Sequence, residues 1–127
     1  MNPDDRKYTK THEWIKLDND AATIGITDHA QTALGDITFV ELPANGLVVE
    51  QGKECGVVES VKAASDIFAP ASGEVLESNS ELEDKPELIN QDPYGNGWMF
   101  RMSVSDTGEL DSLMDAADYK AFSEAET

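Results

Sequence analysis

A series of short strand-like runs, separated by turn-forming residues, occupies the first hundred positions of this 127-residue chain. Gly, Pro, Asn and Asp interrupt the apolar runs every few residues, which leaves no room there for a long helix. Short runs that alternate apolar and polar side chains, or that are rich in β-branched ones, are typical of an all-β sandwich or barrel. The runs are ATIGIT (22–27), ITFVEL (37–42), LVV (47–49), GVVESV (56–61), SDIFAP (65–70), GEVLESN (73–79) and WMFRMSV (98–104).

Helices are expected only beside these strands. TDHAQTALG (27–35) predicts a short helix with Thr27 or Asp28 capping its start and Gly35 ending it in the left-handed region. Apolar residues near helical spacing predict a C-terminal helix over about 110–123, with Asp111 or Asp115 as its cap.

The segment 80–97 is polar and rich in helix breakers, so it predicts a long surface loop with a short helical turn over 80–86. The chain length suits one domain, and no linker or change of composition marks a second. We therefore predict a single domain over 1–127, with its core over about 7–122.

The charge balance limits the possible partners. Asp and Glu number 26 against 9 Lys and Arg, for a net charge of −17, which argues against binding of nucleic acid or of an anionic membrane.

No apolar run approaches the length of a membrane span, and the start of the chain lacks the apolar region of a signal peptide. With Cys55 as the only cysteine, no internal disulfide can form. We expect a cytoplasmic protein, or one of the mitochondrial matrix only if a targeting peptide has been removed.

No constellation of side chains for catalysis is recognisable in the sequence. His12 and His29 are the only histidines, and neither belongs to a nucleophile signature or has metal-ligand spacing. Cys55 is best interpreted as a small buried apolar residue on the strand that leads to Lys62, and no glycine-rich phosphate loop precedes a helix. We predict that the chain is not an enzyme and that its chemistry is carried by an attached group.

Lys62 is the residue most suited to such an attachment. It lies between two strand-like runs, where a hairpin tip is expected, and the small neighbours Ala63 and Ala64 leave its amine accessible. Acylation would remove the positive charge of the amine and attach a long group to a rigid hairpin tip. Surface hairpins often carry lysines, so spacing alone also allows an ordinary solvated turn.

Five stretches of the chain resemble the glycine cleavage system H-protein family, and the resemblance covers about residues 7–122. GVVESVKAASDIFAPASGEVLESN resembles the family's lipoyl-attachment segment, with Lys62 at the modified position. YTKTHEWIKL, TIGITDHAQTALGDITFVELP and KPELINQDPYGNGWMFRM resemble other characteristic stretches, and ELDSLMDAADYKAF resembles the C-terminal helix. The combination is far more specific than a lone VKA.

The resemblance implies a flattened two-sheet sandwich of the lipoyl/biotinyl type, a barrel-sandwich hybrid with short peripheral helices, and lipoate in amide linkage to Lys62. It also implies a non-catalytic carrier of the aminomethyl group of glycine. The implied partners are the pyridoxal-phosphate glycine decarboxylase (P protein), the tetrahydrofolate-dependent aminomethyltransferase (T protein), dihydrolipoamide dehydrogenase (L protein) and a lipoylating enzyme. A shuttle that exposes one face to several partners in turn is expected to be a monomer.

Two carboxylates are candidates for binding the aminomethyl group while lipoate on Lys62 carries it. An aminomethyl group carries an ammonium, and a sheltered cation needs nearby acceptors. We expect Glu13 and Asp66 to lie close to the attachment point and to supply these acceptors; the alternative is that they solvate the surface or bond to loop backbone.

The residues around the lysine would form the recognition surface for lipoylating enzymes. These are Glu59, Ser60, Val61 and Ala63, and the alternative is plain strand and turn structure. We expect Glu59 to make the most direct contact, because the apolar neighbours are needed for packing.

Some features differ from the family pattern, and other functions stay open at this point. Ser78 replaces a usually apolar residue, Cys55 replaces a smaller one, and the turn in ELPANGL is varied. A biotin carrier usually flanks its lysine with methionines, and the lipoyl domains of 2-oxo acid dehydrogenases usually place Asp before it; this chain does neither. A lipoyl donor in lipoate transfer, an unmodified interaction module and an enzyme using Cys55 are the further alternatives.

Overall fold

The structure, a computed structural model, describes residues 2–19 and 21–126. Met1, Asp20 and Thr127, which the predicted domain includes, lie outside the described residues. The nine strands of the described part form two antiparallel sheets, as predicted for a two-sheet sandwich.

The larger sheet has six strands in the spatial order β1, β2, β3, β9, β8, β5. Their bounds are β1 Lys7–Tyr8, β2 Glu13–Asp18, β3 Ala21–Ile26, β5 Val48–Val49, β8 Gly73–Ser78 and β9 Phe100–Ser103. The smaller sheet has the order β4 (Ile37–Glu41), β6 (Glu54–Ser60), β7 (Ala64–Phe68), so that β7 is an edge strand.

The core lies between the sheets, and its largest members include Ile15, Ile24, Ile67 and Phe100, each at most 1% exposed. Burying a side chain of this size stabilises the fold by about 1.5–3 kcal/mol. A second, aromatic cluster of Tyr8, Trp14 and Tyr119 joins the C-terminal region to the larger sheet.

The first helix, α1 (Asp28–Leu34), confirms the sequence interpretation. The Thr27 side chain accepts a hydrogen bond from the Ala30 N–H, and Gly35 ends the helix at φ 80°. The structure also confirms the helical turn predicted within 80–86, as α2 (Glu81–Asp84), but adds an unpredicted α3 (Leu88–Gln91). The predicted surface loop is therefore anchored, since Leu82 and Ile89 are fully buried.

The C-terminal helix begins later than predicted. A 3₁₀ helix occupies Thr107–Ser112, and α4 runs over Ala116–Glu126, so the predicted start at about residue 110 was wrong. The intervening backbone is extended because Met114 and Tyr8 exchange two backbone hydrogen bonds, of 2.8 and 2.9 Å. Asp115, one of the two predicted caps, accepts the Asp118 N–H at 2.8 Å.

Candidate functional site

Lys62 lies at the tip of the β6–β7 hairpin, in a turn that Ser60 organises. The Ser60 N–H donates to the Ala63 carbonyl oxygen at 2.8 Å. The Ser60 hydroxyl oxygen accepts the N–H groups of Lys62 and Ala63, at 3.2 and 3.1 Å. A serine side chain that satisfies successive backbone donors fixes a tight turn, so the direction in which Lys62 leaves the sheet is defined by its own hairpin.

The segment that follows α1 supports this turn from below. The Val61 N–H donates to the Asp36 carbonyl oxygen at 3.0 Å, which ties the tip to the start of β4. At Gly35, an added Cβ would lie 3.1 Å from Lys62 Cε, so the lysine stem passes over a position where only hydrogen fits comfortably. Sequence reasoning assigned Gly35 only to the helix end and missed Asp36; the glycine was the one available signal.

The side chains around the tip are open to solvent. Lys62, Ala63, Ala64 and Glu59 are exposed, and Val61 is 68% exposed. Within residues 2–19 and 21–126, no carboxylate forms an ion pair with Lys62. The amine is thus accessible to a modifying enzyme, and neutralising it breaks no described ion pair.

Glu13, at the start of β2, is a buried carboxylate held by three hydrogen bonds. It is 1% exposed. Its Oε1 accepts the hydroxyls of Thr9 and Thr11, at 2.6 and 2.5 Å, and its Oε2 accepts the Phe68 N–H at 3.2 Å. Burial raises the pKa of Glu13 above its usual range, and these hydrogen bonds partly oppose that effect. The hydroxyl pair of Thr9 and Thr11 was missed by sequence reasoning.

Glu13 lies beside Phe68 rather than beside the lysine. Phe68 ends β7, four residues beyond Ala64, a distance of about 13 Å along an extended strand. Asp66 is exposed and lies between them, on the same face of β7 as Ala64 and Phe68. Both candidate carboxylates thus lie along edge strand β7 and away from Lys62. The unmodified lysine side chain is too short to reach them, whereas a long flexible group attached to it is long enough.

A cavity of about 220 Å³ opens beside Glu13. Phe68, Tyr8 and Met114 are among its apolar lining residues, and Thr9, Lys10, Thr11 and Gln51 are among its polar ones. Cys55 lies close enough for the charge of Glu13 to act on it: burial first, and then the charges of Glu13 and Glu54, raise the pKa of the thiol to about 12. A thiol with so little thiolate is a poor nucleophile.

The two histidines belong to the aromatic cluster rather than to a catalytic site. Their rings stack at 4.6 Å between centroids, and His12 Nδ1 shares a 2.6 Å hydrogen bond with the Tyr119 hydroxyl. Across the described ranges, no group of three or more His, Cys, Asp or Glu side chains is arranged to hold a metal ion. None of the helices found there is long and apolar enough to cross a membrane.

Fold and site together are those of a two-sheet carrier-type domain, with one exposed lysine at the tip of an ordered hairpin. The sequence profile of the glycine cleavage H-protein family matches residues 6–126. The glycine cleavage system H protein of Thermus thermophilus is 57% identical over 98% of this chain and 97% of its own length. The namesake from Methylocella silvestris is 59% identical over 91% of this chain and 93% of its own length.

A solved structure agrees with these sequence matches. The crystal structure of a glycine cleavage system H protein from Mycobacterium marinum superposes with a TM-score of 0.89 at 40% identity, covering 94% of this chain and 97% of that one. This chain belongs to the glycine cleavage H-protein family. It is a non-catalytic carrier component of the glycine cleavage system, and its family implies lipoate as the cofactor.

Proposed function

We propose that Lys62 carries lipoate in amide linkage, and that the chain shuttles the aminomethyl group of glycine on it. The supporting observation is the tip itself: an exposed amine, without an ion pair among the described residues, on a turn fixed by its own Ser60 and by the Asp36 carbonyl. When attached, lipoate supplies a sulfur pair that accepts and releases the aminomethyl group.

The residues around Lys62 fit this group. The amine faces solvent, and Gly35 leaves the lysine stem room that a methyl would take away. Glu59, Ser60, Val61 and Ala63 form the turn that a lipoylating enzyme would recognise, Ser60 through its hold on the backbone and Glu59 through its exposed charge. Glu59, Val61 and Ala63 are exposed and thus accessible to such an enzyme, whereas Ser60 is half-buried.

Glu13 is our candidate acceptor for the ammonium of the cargo. Its Oε2 accepts only one described hydrogen bond, from Phe68, so a lone pair is available for a further donor. A buried carboxylate is also costly without a cation, which favours binding of one. Asp66, exposed on the same strand, would attract the ammonium towards this position.

The proposed partners are the glycine decarboxylase, the aminomethyltransferase, the dihydrolipoamide dehydrogenase and a lipoylating enzyme. All would act on the one arm in turn, which favours a monomer with the tip free. We propose the cytoplasm as the compartment, since the relatives described above are bacterial proteins.

The decisive experiment is intact mass with peptide mapping after incubation with lipoate, ATP and a purified lipoate–protein ligase. We expect one lipoyl increment, confined to Lys62 and absent from Lys62→Arg. Lys53→Arg is the matched control, because Lys53 is also exposed but lies at the opposite end of β6. A lipoyl group elsewhere, or no modification of Lys62, would overturn the proposal.

A further inference from the structure

The outer face of the smaller sheet, next to Lys62, combines apolar and acidic side chains in a regular pattern. Residues paired across antiparallel strands lie on the same face. One row, closest to the tip, pairs Phe39 with Glu59 and Glu59 with Ala64; the next pairs Glu41 with Val57 and Val57 with Asp66. We call these six residues the acidic sheet face: Phe39, Glu41, Val57, Glu59, Ala64 and Asp66.

This face is uncovered in the structure. Phe39 is 50% exposed, and Val61, at the tip of the β6–β7 hairpin, is 68% exposed. The inward residues of the same strands, Val40 and Val58, are buried in the core, so the exposure of Phe39 is not a failure of packing. A half-exposed phenylalanine on the strand next to the hairpin that carries Lys62 is an anchor of the kind that contributes most to binding energy.

The charges on the face indicate what covers it. Glu41, Glu59 and Asp66 are exposed, and none forms an ion pair with another part of the chain that the structure describes. Three unpaired carboxylates around an apolar centre are complementary to an apolar recess rimmed by Lys or Arg. They are not complementary to a second copy of this acidic chain, which would oppose like charges.

The short length of the unmodified lysine side chain indicates which partner with a basic surface binds this face. An enzyme that acylates the bare amine must bring its reacting centre within one lysine side chain of the turn. It must therefore cover the surface next to the tip. Enzymes that act on the finished arm can dock farther away, because the arm adds length.

We propose that the acidic sheet face is the docking surface of the lipoylating enzyme, with Phe39 seated in an apolar recess and Glu41, Glu59 and Asp66 against basic residues. This inference rests on the proposed attachment at Lys62 and extends it. Recognition then depends on two strands as well as on the hairpin that contains the lysine, and Phe39 acts as a specificity-determining residue.

The apolar part is tested with Phe39→Ala against Leu76→Ala, since Leu76 is 48% exposed but lies on the other sheet. Binding of the unmodified protein to immobilised lipoate–protein ligase and the kinetics of lipoylation are both measured. We expect Phe39→Ala to weaken binding and to raise KM by about tenfold with kcat nearly unchanged, and Leu76→Ala to match the parent. Equal behaviour of the two variants would overturn the proposal.

The charged part is tested with two triple variants that remove the same charge from different places. Glu41→Gln/Glu59→Gln/Asp66→Asn acts on the acidic sheet face; Glu74→Gln/Glu81→Gln/Glu83→Gln removes three exposed carboxylates elsewhere. We expect only the first to weaken ligase binding, and to make it less sensitive to salt. Equal effects of both triples would mean that net charge, and not this face, attracts the enzyme.

The outcomes separate this inference from the function on which it rests. If the parent is never lipoylated at Lys62, the proposed function fails. If the parent is lipoylated and the face variants bind the ligase as the parent does, only the docking surface fails. Weakened binding to the aminomethyltransferase with unchanged ligase binding would also reject the assignment, since the face would then belong to a later partner.

Discussion

Gly35 lies directly under the side chain of Lys62, although 26 residues separate them along the chain: a Cβ added to Gly35 would be 3.1 Å from Lys62 Cε. Gly35 also has φ 80°, a conformation that L side chains rarely adopt. The end of α1 and the tip of the β6–β7 hairpin are thus fitted to each other. The lysine stem therefore lies against a residue of another segment that has no side chain.

We predict that Gly35→Ala impairs lipoylation beyond its effect on stability. The methyl would shift the lysine stem, and the backbone conformation of φ 80° and ψ −155°, which is essentially restricted to glycine, would cost roughly 1–3 kcal/mol. Gly52→Ala is the matched control, because Gly52 has φ 83° with nothing within 4 Å of an added Cβ. Both variants should lose similar stability in urea denaturation, but only Gly35→Ala should lower kcat/KM for lipoylation. Parallel losses in the two variants would mean that strain alone acts.

The Ser60 hydroxyl supports a second prediction about the tip. Ser60→Ala removes the acceptor of two N–H groups, those of Lys62 and Ala63. An exposed hydrogen bond of this kind contributes about 1 kcal/mol, so we expect roughly fivefold faster amide hydrogen exchange at both positions. Ser60→Thr, which keeps a hydroxyl, should restore slow exchange. Protection unchanged in Ser60→Ala would show that the Ser60 to Ala63 backbone bond is sufficient.

The burial of Glu13 predicts a pH dependence of stability. Burial raises its pKa in the folded state. Between the ordinary pKa of about 4.3 and the raised one, the folded state holds a proton that the unfolded state has lost, so this group makes the free energy of unfolding fall as pH rises. Glu13→Gln does not titrate. Its free energy of unfolding, minus that of the parent, should therefore increase from about pH 4 upwards.

Urea denaturation at several pH values measures this difference. Glu74→Gln, which removes an exposed carboxylate from the larger sheet, gives the baseline for a changed net charge. Glu13→Gln should show a steeper rise with pH than that baseline. A difference that stays level, or that falls, would mean that the three hydrogen bonds to Thr9, Thr11 and Phe68 outweigh burial and keep the carboxylate ionised.

Where the sequence predicted structure correctly, the determining interactions were local. The Thr27 cap and the Gly35 end of α1 depend on residues within one turn of each other, and strands β6, β7 and β8 follow from short apolar runs between turn formers. The start of α4 was wrong because Leu110 and Leu113 fit helical spacing, while the distant Tyr8 holds Met114 in an extended bridge. The β1–β2 hairpin, which supplies Tyr8, was not predicted as strands at all.

The residues of the candidate site were likewise predictable from the sequence only where their interactions are local. Lys62 and its turn lie within one hairpin, so spacing indicated them and the family resemblance specified them. The supports from Gly35 and Asp36, and the burial of Glu13 against Phe68, join segments that are far apart in sequence. No periodicity encodes such contacts, because they arise when the two sheets pack.

The last prediction concerns Cys55, whose thiol we expect to react slowly in the folded protein. Its thiol pKa of about 12 arises mainly from burial and then from the charges of Glu13 and Glu54. Compared with an ordinary cysteine, the thiolate fraction near neutral pH should be lower by about a thousandfold. Alkylation of the folded protein by iodoacetamide should therefore be slow, and should reach completion only in denaturant.

A second test separates the effect of the Glu13 charge on the Cys55 thiol from the effect of burial. Removing the charge of Glu13 by Glu13→Gln should lower the thiol pKa and speed alkylation, whereas Glu74→Gln should not, because Glu74 is absent from the groups acting on this thiol. The rates are compared at equal fractions of folded protein. A rate in Glu13→Gln equal to that of the parent would mean that Cys55 reacts only through unfolding, and that the carboxylate beside the cavity does not act on it.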